Sequence, residues 1–133
     1  MPDPDLSEPS ESRILVADDE PHIRRILATL LETSGFQVDQ AEDGRCALEL
    51  LAGPTPYRAA LLDIMMPGLT GLEVLERSRQ EPHRRDLPVV ILTAKGQDAD
   101  RQLAFRLGAA DFLTKPFSPK KLLARIHELI ALS

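Results

Sequence analysis

Polar side chains of three chemical kinds follow short strand-like segments of this chain. The acids Asp18, Asp19 and Glu20 follow the first segment, and three later segments are followed by Asp63, Thr93 and Lys115. Carboxylates crowded together repel one another unless a cation joins them, and Mg²⁺ prefers oxygen ligands of this kind. A carboxylate can also attack a phosphoryl group and carry it as an aspartyl phosphate. If these segments meet in space, the sequence predicts phosphoryl transfer to Asp63 beside a bound cation.

Lys115 and Thr93 suit the same chemistry. An ammonium group neutralises charge on the phosphoryl oxygens during transfer, and a hydroxyl donates a hydrogen bond to one of them. Each residue also has an ordinary structural interpretation: a helix cap for Asp19, a turn former for Asp63, a core side chain for Thr93 and a solvated one for Lys115. The functional interpretation depends on all of them occurring together, each directly after a different strand.

The segments between these residues predict an α/β fold. Branched and apolar runs predict five strands, at 13–17, 36–40, 58–62, 87–92 and 111–113. Apolar residues at helical spacing predict a helix after each strand, with helix-start signals at Asp43, at Thr70 to Glu73 and at Ser118-Pro119. This alternation predicts a doubly wound parallel sheet of five strands, covered on both faces by five helices. Such sheets bind ligands at the carboxyl ends of their strands, where these polar residues lie.

Composition restricts the classes of function. Hydrophobic residues make up 43% of the chain and charged residues 28%, a balance typical of globular domains. The net charge is −5 with no basic patch, which argues against direct nucleic-acid binding. No apolar run approaches the ~20 residues that a membrane-spanning helix needs, so we expect no membrane insertion. Because Cys46 is the only cysteine and no signal-peptide pattern is present, we expect a cytoplasmic location.

Four stretches together resemble a known family. They are ILVADDEP at 14–21, LLDIMMPGLTGLEVL at 61–75, VVILTAKG at 89–96 and GAADFLTKPFSPKKL at 108–122. They are similar to the receiver domains of bacterial two-component response regulators. The resemblance implies the flavodoxin-like receiver fold with strand order 2-1-3-4-5. It also implies that the chain accepts a phosphoryl group from a histidine kinase or phosphotransfer protein and catalyses only its own phosphorylation and dephosphorylation.

The resemblance also implies roles for individual residues. Asp63 is the implied phosphoacceptor, with Thr93 and Lys115 in contact with the phosphoryl group and a cis peptide bond joining Lys115 to Pro116. The implied ligands of Mg²⁺, or of Mn²⁺ in its place, are Asp18, Asp19, Asp63 and the main-chain carbonyl of Met65. Thr93 and Phe112 form the implied switch, which alters a surface for a downstream protein or for an output domain absent from this chain.

Two positions depart from the family pattern. Phe112 stands where many members have tyrosine, so this side chain lacks a hydroxyl that could donate a hydrogen bond. Ala110 stands where many dimerising members have an acid, which leaves Asp111 as the nearby partner for Arg125 across a dimer. Exposed ion pairs of this kind contribute about 0–1 kcal/mol. We therefore expect any homodimer to be weak or to depend on phosphorylation.

The chain divides into two segments by composition. Residues 1–12 (MPDPDLSEPSES) are rich in proline, serine and acidic residues, so we expect a disordered tail there. Residues 13–133 carry all of the predicted strands and helices, so we expect them to form the receiver domain.

Other classes of function are less consistent with the residues. A phosphohydrolase with an aspartate nucleophile needs a second acid two residues later, where this chain has Met65. A dinucleotide-binding domain needs G-x-G-x-x-G after the first strand, and that motif is missing. A phosphorylation-independent interaction module with the same fold stays open as the alternative to phosphoryl acceptance.

Overall fold

The computed structural model describes residues 12–94 and 97–132, with the side chain of Leu132 excepted. The tail predicted at 1–12 therefore lies outside the described residues, apart from Ser12, and its disorder stays a prediction. Within the described ranges, no helix is long and apolar enough to cross a membrane.

Among the described residues, five parallel strands form one sheet in the order β2-β1-β3-β4-β5. The strands are β1 (Arg13–Ala17), β2 (Gln37–Ala41), β3 (Tyr57–Asp63), β4 (Val89–Thr93) and β5 (Asp111–Thr114). The helices are α1 (Pro21–Thr33), α2 (Gly44–Ala52), α3 (Gly71–Ser78), α4 (Asp98–Arg106) and α5 (Pro119–Leu132), with a 3₁₀ turn at Pro82–Arg84. This arrangement confirms the predicted doubly wound α/β fold and its strand order.

The helix-start signals act as the sequence predicts. The Asp43 carboxylate accepts a hydrogen bond of 2.8 Å from the Cys46 N–H at the start of α2. Thr70 and Glu73 form a reciprocal capping box at the start of α3. Helix α1 is different, because the residue before Pro21 is Glu20 and its side chain makes no capping hydrogen bond. The first helix therefore lacks the side-chain cap considered for Asp19.

Two strands begin later than the sequence predicts. The Phe36 N–H donates to the Leu31 carbonyl at the end of α1, so β2 begins one residue after it. Pro88 has no N–H to donate, and its carbonyl accepts from the Ala60 N–H just before β4 begins. Strand β3 is longer than predicted and includes Asp63, whose backbone pairs with Leu92 of β4. The phosphoacceptor candidate is therefore part of the sheet itself.

Apolar side chains alternate between the two faces of the sheet and form two core layers. Leu15, Leu62 and Ile91 pack in the layer covered by α2, α3 and α4. Ile14 and Val90 pack in the layer covered by α1 and α5. Each fully buried side chain of this size contributes about 1.5–3 kcal/mol to stability. These apolar layers cover both faces of the sheet, so polar groups that belong to a site lie at its carboxyl edge.

Candidate functional site

The carboxyl edge of the sheet brings together residues from four different strand ends, those of β1, β3, β4 and β5. The Lys115 Nζ atom lies 2.8 Å from Asp18 Oδ2 and 3.3 Å from Asp63 Oδ2. The Lys115 main-chain N–H donates to the Thr93 carbonyl over 2.7 Å, which fixes the end of β5 against the end of β4. The structure thus places Asp18, Asp63, Thr93 and Lys115 in one group, and the Lys115-Pro116 bond is cis.

Asp18 is completely buried and each of its polar groups has a partner. Its Oδ1 atom accepts from the Glu20 N–H over 2.9 Å, and its own N–H donates to the Ala41 carbonyl over 3.1 Å. The Asp18 main-chain carbonyl accepts from Arg24 Nη1 over 2.8 Å. A buried carboxylate is costly unless it is paired and hydrogen-bonded, and here Lys115 and the Glu20 N–H meet that requirement.

Asp63 is also buried, but the hydrogen bonds to its carboxylate are longer than those to the Asp18 carboxylate. Oδ1 accepts from the Met65 N–H over 3.2 Å, which is the turn-forming contact that the sequence also suggests. Burial first, and the Asp18 charge second, raise the pKa of Asp63 to about 6, even though Lys115 and the Met65 N–H act to lower it. Because this surrounding disfavours the ionised form of Asp63, an additional cation beside the carboxylate would stabilise that form.

Lys115 remains a cation in this surrounding. Burial acts to lower its pKa, but the hydrogen bond to Asp18 and the charge of Asp63 outweigh burial, so the pKa of Lys115 is raised. The ammonium group is shared between the two aspartates and also lies 3.4 Å from Glu20 Oε1. An ammonium group shared among three acids can turn toward a new anion that appears between them.

The acids of the site have a donor set that fits a hard divalent cation. Among the described residues, Asp18, Glu20 and Asp63 offer carboxylate oxygens that all lie within 4.8 Å of one another. Asp19, predicted as a metal ligand, is exposed and is not in this group. Glu20, which follows β1 and was not predicted as a ligand, is the third acid of this group, and the role of Asp19 as a ligand stays a prediction. Mg²⁺ needs only one or two carboxylates from the protein and retains several waters, so this oxygen-only group fits it.

The start of α3 holds the Asp63 main chain in place. The Gly71 N–H donates to the Ile64 carbonyl over 3.2 Å. A Cβ atom at Gly71 would collide with the main-chain carbonyl of Asp63, so only glycine allows this close approach. Met65 lies between these elements with its side chain 60% exposed. The loop after β3 is therefore shaped by a glycine contact that sequence spacing alone does not reveal.

The two predicted switch residues lie on neighbouring strands. Thr93 ends β4 and is buried, and Phe112 on β5 is buried with its backbone paired to Ile91. The Arg101 guanidinium lies 5.9 Å from the centre of the Phe112 ring and 5.4 Å from that of Phe105. The aromatic side chain is therefore in an inward position in this structure, with an arginine of α4 on its outer side.

The pair considered for a dimer forms within one chain. Arg125 Nε lies 2.8 Å from Asp111 Oδ2, and Arg125 Nη1 lies 2.7 Å from Glu128 Oε1. The Arg125 guanidinium also donates to the Ala110 carbonyl over 3.3 Å. Both members of the predicted intermolecular pair are thus already engaged.

Comparison with known proteins gives a consistent family. The family model described as "Response regulator receiver domain" matches residues 14–127. The phosphate regulon transcriptional regulatory protein PhoB of Escherichia coli strain K12 is 46% identical over 118 residues, which are 89% of this chain and 51% of that protein. The transcriptional regulatory protein ResD of Bacillus subtilis strain 168 is 38% identical over 125 residues, 94% of this chain and 50% of that protein. This chain therefore spans about half the length of these relatives.

Solved structures agree with the sequence relatives. A CheY-like response regulator receiver domain protein from Methanospirillum hungatei JF-1 superposes with a TM-score of 0.85 at 27% identity, covering 90% of this chain and 94% of that one. The chemotaxis protein CheY4 of Vibrio cholerae superposes with a TM-score of 0.83 at 29% identity, covering 89% and 98%. Fold, site and relatives point to the same family.

Proposed function

This chain belongs to the response regulator receiver domain family, and from that premise we propose that Asp63 accepts a phosphoryl group from a histidine kinase or phosphotransfer protein. The observation that supports the proposal most directly is the placement of one buried carboxylate within 3.3 Å of a lysine ammonium at the carboxyl end of β3. We assign the receiver domain to residues 13–133, because the described strands and helices run from Arg13 to Leu132.

The transfer step exchanges one bond to phosphorus for another. A carboxylate oxygen of Asp63 attacks the phosphorus atom, the phosphorus–nitrogen bond to the donor histidine breaks, and the imidazole leaves with the bonding electron pair. Asp18, Asp19, Asp63 and the main-chain carbonyl of Met65 would hold Mg²⁺ with Glu20 in reach, and the ion would supply neutralising charge for the phosphoryl oxygens. The raised pKa of Lys115 keeps its ammonium charged throughout.

Lys115 and Thr93 respond to the new group. Before transfer, the Lys115 ammonium is divided between Asp18 and Asp63. A phosphoryl group on Asp63 carries more charge than the carboxylate did, so Lys115 turns toward it. The Thr93 hydroxyl can donate to a phosphoryl oxygen from the end of β4. Lys115 therefore neutralises charge on the product, and Thr93 stabilises it by a hydrogen bond.

The output is a shift between two conformations. Movement of Thr93 changes the packing beside Phe112, and the surface formed by α4 and β5 changes with it. The phosphoryl group shifts this equilibrium only by the difference in its stabilisation of the two states. The partner is a downstream protein or an output domain, consistent with relatives that are about twice as long as this chain.

Intact mass after incubation with a small-molecule phosphodonor tests the proposal. The wild type is expected to gain one phosphoryl group with Mg²⁺ and none in a chelator. Asp63→Asn should gain none. Asp43→Asn is a matched control, because it makes the same change at a partly buried acid outside the site and asparagine caps a helix as well as aspartate does.

Two results would contradict it. If Asp63→Asn still gained the group, another residue would be the acceptor. If the wild type gained none while Mg²⁺ bound, the chain would act as a phosphorylation-independent interaction module with the receiver fold.

A further inference from the structure

An arginine in the first turn of α1 contacts the main chain that carries the acids. Arg24 Nη1 donates to the Asp18 main-chain carbonyl over 2.8 Å, and Arg24 Nε donates to Gln40 Oε1 over 3.2 Å. The Arg24 N–H itself donates to the Glu20 carbonyl over 2.9 Å. One side chain thus links α1, the connection from β1 and the end of β2.

The position of this cation is unusual for a helix. The amino-terminal turn of a helix disfavours positive charge, because the helix dipole is positive there. Arg25 follows directly on the same helix and is exposed, and within the described residues no hydrogen bond or ion pair joins its side chain to another group. The contrast indicates that the contacts of Arg24, and not helix formation, account for its orientation back over the strand ends.

Arg24 binds the main-chain carbonyl of Asp18, the one polar group of that residue that no other residue of the site binds. Lys115 and the Glu20 N–H bind the Asp18 carboxylate, and the Ala41 carbonyl binds its N–H. Only the Asp18 carbonyl depends on α1. Asp19 follows immediately, and its side chain has no hydrogen bond or ion pair in the described part of the chain. The place of the Asp19 carboxylate is therefore set by the main chain that Arg24 holds.

We propose that Arg24 is a positioning residue of the acidic site, which fixes the main chain at Asp18 so that the following acids are preorganised for a divalent cation. The inference rests on the proposed function for the identity of the cation as Mg²⁺. Groups that orient metal ligands are commonly needed for affinity even though they do not touch the metal. A loop held in its binding conformation loses less freedom when the ion binds.

The direction in which Mg²⁺ affinity changes on removal of Arg24 distinguishes a positioning role from a simple effect of its charge. Arg24 is a cation near an acidic site, so its removal should tighten binding of a second cation if charge alone matters. Loss of positioning has the opposite effect and weakens binding. Arg25→Gln removes the same charge from the next residue and breaks no hydrogen bond or ion pair in the described part of the chain, so it measures the charge effect by itself.

Direct titration with Mg²⁺ tests the inference without any phosphodonor. Calorimetry, or backbone amide shifts in the loops after β1 and β3, gives the Mg²⁺ dissociation constant of the wild-type chain and of Arg24→Gln, Arg24→Lys and Arg25→Gln. Arg24→Gln is expected to bind Mg²⁺ about ten-fold more weakly than wild type. Arg25→Gln should bind equally or slightly more tightly. Arg24→Lys should recover part of the loss, because an ammonium can donate to the carbonyl but cannot hold both acceptors as a planar fork does.

Equal or tighter Mg²⁺ binding by Arg24→Gln, relative to Arg25→Gln, would overturn the inference. Urea unfolding shows whether Arg24→Gln is folded at the titration temperature. If it is not, Gln40→Ala removes only the second acceptor at an exposed position and is expected to weaken binding less than Arg24→Gln, and no change there would also overturn it. Failure of wild type to accept a phosphoryl group would refute the proposed function while leaving these dissociation constants interpretable.

Discussion

At the scale of single residues, Asp63 combines two demands that oppose each other. As the proposed nucleophile, Asp63 must carry charge, yet it is 3% exposed and lies beside the Asp18 carboxylate. Burial and that neighbouring charge raise the pKa of Asp63 to about 6, above the value of 3.8 that an unperturbed aspartate has. The folded protein therefore retains a proton on Asp63 at pH values where the unfolded chain has lost it.

This difference predicts a pH-dependent cost to stability. Because the folded state binds more protons than the unfolded state between the two pKa values, the free energy of unfolding falls as pH rises through about 6. Asp63→Asn cannot ionise, so in a chelator it should be more stable relative to wild type at about pH 7.5 than at about pH 4.5, by about 1–3 kcal/mol. Urea unfolding of both proteins at the two pH values measures the double difference. A difference that does not change with pH would contradict the prediction.

Residue types at the strand ends were predictable, and the contacts made by long side chains were not. Asp63, Thr93 and Lys115 follow strands, and parallel strands place their carboxyl ends on one edge, so the sequence indicates that they meet. Glu20 also follows a strand, but nothing local shows that its carboxylate, and not that of Asp19, joins the cluster. Arg24 reaches back from a helix to a carbonyl, and no sequence spacing encodes that contact.

At the scale of elements, α3 is set against the end of β3 by a glycine. Alanine at Gly71 would normally favour a helix, since glycine in a helix costs roughly 0.5–1 kcal/mol relative to alanine. Here a Cβ atom would meet the Asp63 main-chain carbonyl, which belongs to the rigid sheet. Helix propensity therefore predicts that Gly71→Ala raises the free energy of unfolding, whereas packing predicts that it lowers it.

We expect packing to prevail. Gly71→Ala should lower the free energy of unfolding by about 1–3 kcal/mol, as overpacking against fixed backbone does. It should also slow phosphorylation, because the carbonyl that must move belongs to Asp63, the proposed phosphoacceptor. Gly53→Ala is the control: its φ of −81° is ordinary and the nearest atom to its Cβ would be 3.5 Å away, so stability should change by less than about 0.5 kcal/mol. Urea unfolding and the rate of mass gain measure the two effects, and a stabilised Gly71→Ala would refute the argument.

The helix starts are capped by residues nearby in the sequence, whereas the end of α2 is bonded by a distant one. Caps at Asp43, Thr70 and Ser118 are local, because each side chain bonds a backbone N–H three residues along, and all three were predicted. The carboxyl end of α2 is satisfied from a distance instead. Arg84 is buried in the 3₁₀ turn and donates to the Leu51 carbonyl over 2.8 Å. A contact across 33 residues leaves no local pattern, so a buried arginine here could not be anticipated.

At the scale of the whole molecule, α4, β5 and α5 form the surface that the proposed switch would alter. The surface of α4, β5 and α5 carries Phe112 beneath Arg101 and an ion-pair group centred on Arg125. A homodimer built on this surface would have to exchange the Arg125 pair with Asp111 inside one chain for the same pair between two chains. Such an exchange leaves the number of ion pairs unchanged, so it contributes little to association.

The expected consequence is that Arg125 does not control self-association. A dimer with micromolar affinity needs about 8 kcal/mol, whereas an exposed ion pair supplies about 0–1 kcal/mol even when it is newly formed. In sedimentation equilibrium with and without the phosphodonor, any phosphorylation-dependent dimer should be weak. Arg125→Gln should change its dissociation constant no more than Arg45→Gln, which removes the same charge from an exposed position on α2, a helix that packs on α3, β1 and β2. If Arg125→Gln alone weakened a phosphorylation-dependent dimer ten-fold or more, the pair within the chain must open on activation and re-form between subunits.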